Sequence, residues 1–461
     1  MKIPRVASFS AIATATALAL STSLVQAQQQ HPAVLAGHAS LPAMTMVDTP
    51  SDAPENLKTS GKYTGPVGRR VDQPGSIPGV SFLADPKAPR TTGISLPFAG
   101  KQAIQGFSGI KRLADGTYLV ITDNGFGTKA NSPDAMLMFH RVRPEWGTGA
   151  VQLLETVFLH DPDKVIPFHI ITEATPRRYL TGADLDIESV QPIGDSLYFG
   201  DEFGPYIIKT DRLGKVTAFW ETTHDGRVLK SPDHFTVSTP ATPGPVSFTV
   251  RRSRGYEGMA ASPDGRYLYP LLEGPLWDEQ ARAWEQRGGR EYLRILEFDT
   301  GQGRFTGRSW KYQLEGNGNN IGDFNMIDAD TGLIIERDNA EGDERLACNG
   351  APRSDCFNVP ARFKRVYKID MKAADPEGFV RKIGYIDLLD IKDPEGKART
   401  GAKDGVFTFP FVTIENVDVV DAEHIIVAND NNLPFSSGRQ IGKNDDNEFI
   451  LLRVPELLRA R

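Results

Sequence analysis

The sequence predicts an all-β protein, and two observations carry this prediction. The 461 residues include 44 glycines and 32 prolines, which favour many turns between short strands. Short apolar runs recur along the chain, and each ends in a cluster of Asp, Asn, Glu or Gly residues, as is typical of β-strands and their turns. Hydrophobic residues make up 39% of the chain and charged residues 24%, so it can bury a core and global disorder is excluded.

The apolar runs group into five repeats of four strands each. The first strands of the repeats begin near Gly106, Asp186, Gly255, Asp323 and Ile414. Four-stranded repeats arranged around an axis form the blades of a β-propeller. The last repeat is one strand short, so we expect an N-terminal strand near Val80 to Leu83 to complete it and close the ring. Two alternatives stay open: a sixth blade, hidden in the N-terminal stretch or in Thr222 to Arg254, and a two-sheet sandwich.

Residues 1–27 are predicted to be a signal peptide. Lys2 and Arg5 precede an apolar stretch from Val6 to about Leu20, and Val25-Gln26-Ala27 fits a cleavage site. No later segment is apolar enough to span a bilayer, so the sequence predicts a periplasmic or secreted protein.

The remaining chain divides into a lead-in and one domain. Residues 28–75 are polar and rich in proline, which predicts a flexible N-terminal segment. Residues 76–461 are predicted to form the propeller domain. Cys348 and Cys356, the only cysteines, are expected to form a disulfide in an oxidising compartment.

The formal net charge of −7 argues against nucleic acid or an anionic membrane as the main partner. A small molecule is the expected partner, and the sequence leaves the oligomeric state open.

Aligning the repeats produces two columns of polar residues. The first column, near the start of each first strand, contains Ser108, Glu188, Glu257, Asn325 and Glu415. The second, at the end of each second strand, contains Asn124, Glu202, Glu273, Asp338 and Asp430, with Asp123, Asp201, Arg337 and Asn429 beside them. In an antiparallel pair the start of one strand lies beside the end of the next. We therefore expect both columns on one face, the first around the axis and the second outside it.

Carboxylates that converge on one channel repel each other unless a cation, shared protons or basic partners compensate them. Carboxylate and amide oxygens are the ligands that Ca²⁺ prefers. The hypothesis is that Glu188, Glu257, Asn325 and Glu415 hold a Ca²⁺ ion. Glu202 or Glu273 would accept a proton, and Arg337 would balance substrate charge. The alternative is that these polar residues only cap strand ends or bond neighbouring blades.

Four segments of the chain resemble the phytase-like family, exported bacterial proteins described as having esterase-like activity of phytase. These segments are GFSGIKRLADGTYLVITDNG, DIESVQPIGDSLYFGDEFGPYIIKTD, GYEGMAASPDGRYLYPLLEGP and IENVDVVDAEHIIVANDNN. The resemblance implies a β-propeller that hydrolyses esters or phosphoesters. A non-catalytic propeller that binds a ligand or a protein at the same face remains the alternative.

Overall fold

The computed structural model describes Met1 and residues 28–461, so the predicted signal peptide lies outside the described residues apart from Met1. The chain consists mainly of strands and their connections, which confirms the all-β prediction. Within this part, the helices are Pro455–Arg459 (α) and three single 3₁₀ turns, Glu55–Leu57, Pro66–Gly68 and Glu344–Leu346. None of these helices has the length and apolar character needed to cross a membrane.

Five four-stranded antiparallel sheets form the body of the protein. Sheet 1 comprises Phe107–Arg112, Tyr118–Thr122, Met138–Glu145 and Ala150–Phe158. Sheet 2 comprises Ile187–Ile193, Ser196–Asp201, Tyr206–Asp211 and Val216–Glu221. Sheet 3 comprises Tyr256–Ala261, Tyr267–Leu272, Arg290–Asp299 and Arg304–Gln313.

The last two sheets each include a strand from the N-terminal part of the chain. Sheet 4 comprises Asn320–Met326, Thr331–Arg337, Lys364–Asp370 and Arg381–Asp387, with Gln29–Gln30 added in parallel at its edge. Sheet 5 comprises Ile414–Val419, His424–Asn429, Asn447–Arg453 and Val34–Leu41. The fourth strand of sheet 5 therefore comes from the opposite end of the chain.

This closing strand corrects two expectations. Val34–Leu41, not the segment at Val80 to Leu83, pairs antiparallel with Asn447–Arg453, and Ile77–Val80 pairs instead with Thr91–Leu96. Part of the segment 28–75, expected to be flexible, is thus a strand whose Leu35 side chain is buried. Local composition missed it because the stabilising partner lies at the far end of the chain.

Apolar clusters fill the space between successive sheets. Neighbouring residues of one strand point to opposite faces, so Tyr198 packs toward sheet 3 while Phe199 packs toward sheet 1. Sheets 4 and 5 divide their side chains in the same way, with Ile334 facing sheet 3 and Ile335 facing sheet 5. A further cluster joins sheet 5 to sheet 1 through residues such as Ile426 and Val120. Each sheet is therefore covered on both faces.

The first strands of the sheets contact one another in cyclic order, sheet 1 to sheet 5 and back to sheet 1. The described residues contain no sixth four-stranded sheet. Their remaining strands are short: Met46–Asp48, Thr59–Ser60, Ile77–Val80, Thr91–Leu96, Phe98–Ala99, Lys101–Ala103, Thr223–His224, Arg227–Val228, Trp277–Asp278, Ala283–Trp284, Gln286–Arg287, Ile391–Lys392, Ala402–Lys403 and Val406–Phe407. The predicted disulfide between Cys348 and Cys356 is confirmed.

Candidate functional site

The first strands carry a β-bulge at the point where the predicted first column lies. In sheet 2 the pairing steps from Ile187↔Asp201 directly to Ser189↔Gly200, which leaves Glu188 without a partner on the second strand. Sheets 3 and 5 repeat this step at Glu257 and Glu415. A bulge redirects its extra side chain out of the regular pleat. The three glutamates are thereby directed to a common place.

The bulge in sheet 4 shows why one predicted member of this column is wrong. Here the pairing steps from Ile321↔Glu336 to Phe324↔Ile334, so Gly322 occupies the position equivalent to Glu188. A Cβ atom on Gly322 would lie only 2.1 Å from the carbonyl oxygen of Ile414, and no side chain fits there. Asn325 lies three residues farther along the strand.

The side chain of Asn325 is already saturated with protein partners. Its Oδ1 accepts hydrogen bonds from Lys111 Nζ at 3.0 Å and Gln191 Nε2 at 2.9 Å. Its Nδ2 donates to the carbonyl oxygens of Ile110 and Val417. Asn325 therefore belongs to a separate polar network and does not join the three glutamates.

The second column is correct in sheets 2, 3 and 5, but in sheets 1 and 4 the predicted residue is one position too far along the chain. The residue directly after the paired end of the second strand is Glu202, Glu273 or Asp430 in sheets 2, 3 and 5. By the same register the equivalent residues are Asp123 in sheet 1 and Arg337 in sheet 4. The sequence pattern predicts Asn124 and Asp338 at this position, and each of them lies one residue farther along the chain.

The neighbouring residues mainly hold the site's loops in place. Asn124 donates through its backbone N and its Nδ2 to the carboxylate of Asp186, at 3.2 and 2.8 Å. Asp201 accepts from the backbone N of Asp186 at 2.8 Å. Asp338 instead pairs with Lys364 Nζ at 2.9 Å, away from the glutamates. Asn429 accepts from the backbone N of Glu448 at 2.7 Å.

Six buried carboxylates lie together in one cluster. Their oxygens form three overlapping groups whose members lie within 4.8 Å of one another: Asp186, Glu188 and Glu202; Glu188, Glu257 and Glu415; and Glu202, Glu257 and Glu273. The structure thus brings together five of the predicted acidic residues. The sixth, Asp186, was not selected from the sequence, although its place two residues before Glu188 could have indicated it.

Two arginines lie on one side of these carboxylates. Arg337 Nη2 is 2.5 Å from Glu415 Oε1, 3.8 Å from Glu257 Oε1 and 4.0 Å from Glu273 Oε1. Arg254, which the sequence did not single out from its basic neighbours in RRSR, pairs with Glu273. Ser108 Oγ donates to the other oxygen of Glu415 at 3.0 Å. Two guanidinium groups cannot compensate six carboxylates.

The pKa values of several acids in the cluster are raised. Burial raises the pKa of Glu188, Glu202 and Glu257 well above its ordinary value. Each is raised further by a neighbouring carboxylate, Asp186, Glu273 and Glu415 respectively. A bound cation or bound protons would offset the repulsion between these carboxylates.

The donor set suits a hard divalent cation. Glu202 Oε1 and Glu257 Oε1 are buried, and neither has a hydrogen-bond partner within the described residues. A buried carboxylate oxygen without a partner is costly, and a bound Ca²⁺ would satisfy it with the all-oxygen coordination that Ca²⁺ prefers.

Three comparisons relate the chain to known proteins, and one of them agrees with the resemblance seen in the sequence. Similar solved structures include a periplasmic gluconolactonase from Pseudomonas aeruginosa, with 12% identity, a TM-score of 0.29 and coverage of 82% of this chain and 99% of that one. Another is the PQQ-bound aldose sugar dehydrogenase from Streptomyces coelicolor, with 12% identity, a TM-score of 0.31 and coverage of 77% and 95%. Among curated proteins no relative matches. The phytase-like family, described as esterase-like activity of phytase, matches residues 102–433, and the chain belongs to this family.

Proposed function

We propose that this protein is an exported hydrolase that acts on esters or phosphoesters at the central acidic cluster, with a Ca²⁺ ion bound there. The observation that carries the proposal is a pair of buried oxygens without hydrogen-bond partners in the described chain, Glu202 Oε1 and Glu257 Oε1, within an excess of carboxylates. Such a cluster is stable at neutral pH only when a cation or bound protons offset its charge. Membership of the phytase-like family supports the class of reaction.

The scaffold we infer for this site is a five-bladed β-propeller, with the domain running from the closing strand to the C-terminal helix. Cyclic contacts between the five first strands support this inference. The apolar cluster that joins sheet 5 to sheet 1 also supports it. A ring of this kind brings residues that are distant in the chain to one mouth of a central channel.

Glu188, Glu257 and Glu415 are the proposed ligands of the cation, with Asn325 removed from the set for the reason given above. Calcium bound there would polarise the scissile ester or phosphoester group. Arg337, held by Glu415, keeps a positive charge beside the cluster where an anionic substrate group would lie. Ser108 orients the opposite oxygen of Glu415.

Glu202 and Glu273 are the proposed proton acceptors. Both are buried next to the Glu257 carboxylate. Burial raises the pKa of Glu202 well above its ordinary value, as a general base that works near neutral pH requires. Glu273 is paired with Arg254, which fixes its orientation.

Export rests on the N-terminal sequence and is supported by the disulfide between Cys348 and Cys356, a bond typical of oxidising compartments. We place the mature protein in the periplasm or outside the cell.

The test is a panel of phosphomonoesters, aryl esters and lactones, assayed on purified mature protein with added calcium and with chelator. Elemental analysis of the same preparation would determine whether it holds metal. The proposal expects bound metal and turnover that chelator abolishes. Ligand binding without turnover of any substrate would instead favour the non-catalytic propeller.

A further inference from the structure

The charges of the acidic cluster are divided unevenly between its two sides. Glu257, Glu273 and Glu415 lie within 4.0 Å of a guanidinium group of Arg337 or Arg254. On the other side, Asp186, Glu188 and Glu202 make no ion pair with any Lys, Arg or His of residues 28–461. The side without arginines therefore has the greater need for a cation.

These three carboxylates meet the geometric requirement for a shared ion. One oxygen from each lies within 4.8 Å of the other two. Ca²⁺ binds oxygen at about 2.3–2.6 Å, so two ligands of one ion lie at most about 5 Å apart. The buried Glu202 Oε1 has no hydrogen-bond partner in the described chain, so an oxygen is free to coordinate.

The backbone fixes this group in place. The backbone N of Glu202 donates to the carbonyl oxygen of Asp186 at 2.8 Å. Asp201 accepts from the backbone N of Asp186 at 2.8 Å, and Asn124 Nδ2 donates to Asp186 Oδ2 at the same distance. Asp186 and Glu202 therefore face each other without needing a side-chain ion pair to hold them, a preorganised arrangement of the kind metal sites use.

We propose that Asp186, Glu188 and Glu202 form a second divalent-cation site, which shares Glu188 with the site at Glu188, Glu257 and Glu415. This inference rests on the proposed function and deepens it, since it makes the centre a two-cation site bridged by one carboxylate. Two neighbouring cations that share a ligand can stabilise the attacking oxygen and the leaving oxygen of an ester or phosphoester displacement. Glu202 is then a ligand, which leaves Glu273 as the proton acceptor.

Calcium titration of the metal-free mature protein by calorimetry tests the stoichiometry. The wild-type protein should bind two Ca²⁺ ions per chain at the cluster. Glu202→Gln should bind one and should show a smaller rise in melting temperature on calcium addition. Glu297→Gln is the matched control, because Glu297 is also buried but bonds Thr306 and Arg308 on sheet 3; it should still bind two.

Glu202→Gln is a suitable variant because it keeps the size of a side chain whose buried Oε1 has no hydrogen-bond partner in the described chain. A purely structural role would lower the melting temperature of this variant without calcium, whereas loss of carboxylate repulsion should leave it equal or higher. Asp186→Asn provides a second test and should also bind one ion. A single ion in the wild-type protein, or two ions in both variants, would overturn the proposal.

The outcomes also separate this inference from the proposed function. One ion with calcium-dependent hydrolysis would reject the second site and retain the hydrolase. Two ions without turnover of any ester, phosphoester or lactone would retain the second site and reject the hydrolase.

Discussion

Arg337 Nη2 lies 2.5 Å from Glu415 Oε1, and the two residues come from the second strand of sheet 4 and the first strand of sheet 5. Arg337 takes the position that Glu202, Glu273 and Asp430 hold in other sheets. Sheet 4 therefore contributes a cation where the other sheets contribute an acid. The same sheet also lacks a glutamate on its first strand, because Gly322 occupies that position. The net negative charge of the cluster is therefore lower on the side of Arg337, beside Glu257, Glu273 and Glu415.

The first prediction concerns the stability that this pair provides. Arg337→Gln leaves the buried carboxylates of Glu415 and Glu257 without their nearest cation, so the free energy of unfolding in calcium-free buffer should fall by about 3–5 kcal/mol. Urea denaturation measures it. Arg345→Gln, which removes a partly exposed pair with Asp343, should cost less than about 1 kcal/mol. Equal losses in the two variants would show that the buried pair has no special role.

The second prediction concerns the proposed ligand Glu257. Glu257→Gln should lower the calcium-dependent hydrolysis rate by at least about tenfold, because it removes one charged oxygen from the proposed cation site. Steady-state kinetics on the best substrate of the panel would measure it. Glu297→Gln, outside the cluster, should keep the parental rate. Parental turnover in Glu257→Gln would remove Glu257 from the mechanism.

The third prediction is a pH dependence that does not involve the cation. Burial raises the pKa of Asp323 to about 7, helped by the nearby Asp418. An acid whose folded pKa exceeds its unfolded value favours folding below the unfolded pKa, and this contribution is lost as pH rises toward the folded pKa. Between about pH 4 and pH 7, Asp323 should therefore lower the free energy of unfolding by up to about 1.4 kcal/mol per pH unit.

Urea denaturation at several pH values, with chelator present, would measure this slope. Asp323→Asn cannot lose a proton, so its stability should decline less steeply over the same range. Identical slopes in the variant and the parent would mean that Asp323 is ionised throughout.

The fourth prediction concerns the closing strand. Leu35 is 2% exposed in the cluster between sheets 4 and 5, so Leu35→Ala should lower the free energy of unfolding by about 2–5 kcal/mol. Leu213→Ala, at a side chain that is 74% exposed, should have little effect. A negligible loss at Leu35 would support the flexible segment that the composition of residues 28–75 predicts.

Most strands could be predicted because their signals are local. Apolar runs such as Ile425 to Ala428, ended by Asn429 and Asp430, specify a buried strand and its turn without reference to any partner. The five-fold repetition of that pattern was sufficient to bring Glu188, Glu257 and Glu415 into one column, and the structure places their oxygens together.

The errors in the columns concern the register of paired strands. A bulge adds a residue to one strand of a pair, and its position depends on how the partner strand is registered, which adjacent residues do not encode. In the first column Asn325 is predicted at the position that Gly322 occupies, and in the second column Asp338 is predicted at the position that Arg337 occupies. Arg254 was missed because its partner, Glu273, lies 19 positions farther along the chain.

The sequence by itself determined the all-β class, the repeat of four strands and the identity of most acids in the cluster, because alternation and turn chemistry act between neighbouring residues. Only the tertiary structure decided which strand closes sheet 5, where each bulge falls and which carboxylates receive an arginine. Those features depend on pairing between segments that are not adjacent in the chain; His38 and Glu448, for example, are 410 positions apart. These contacts stabilise the protein only when both partners are in place.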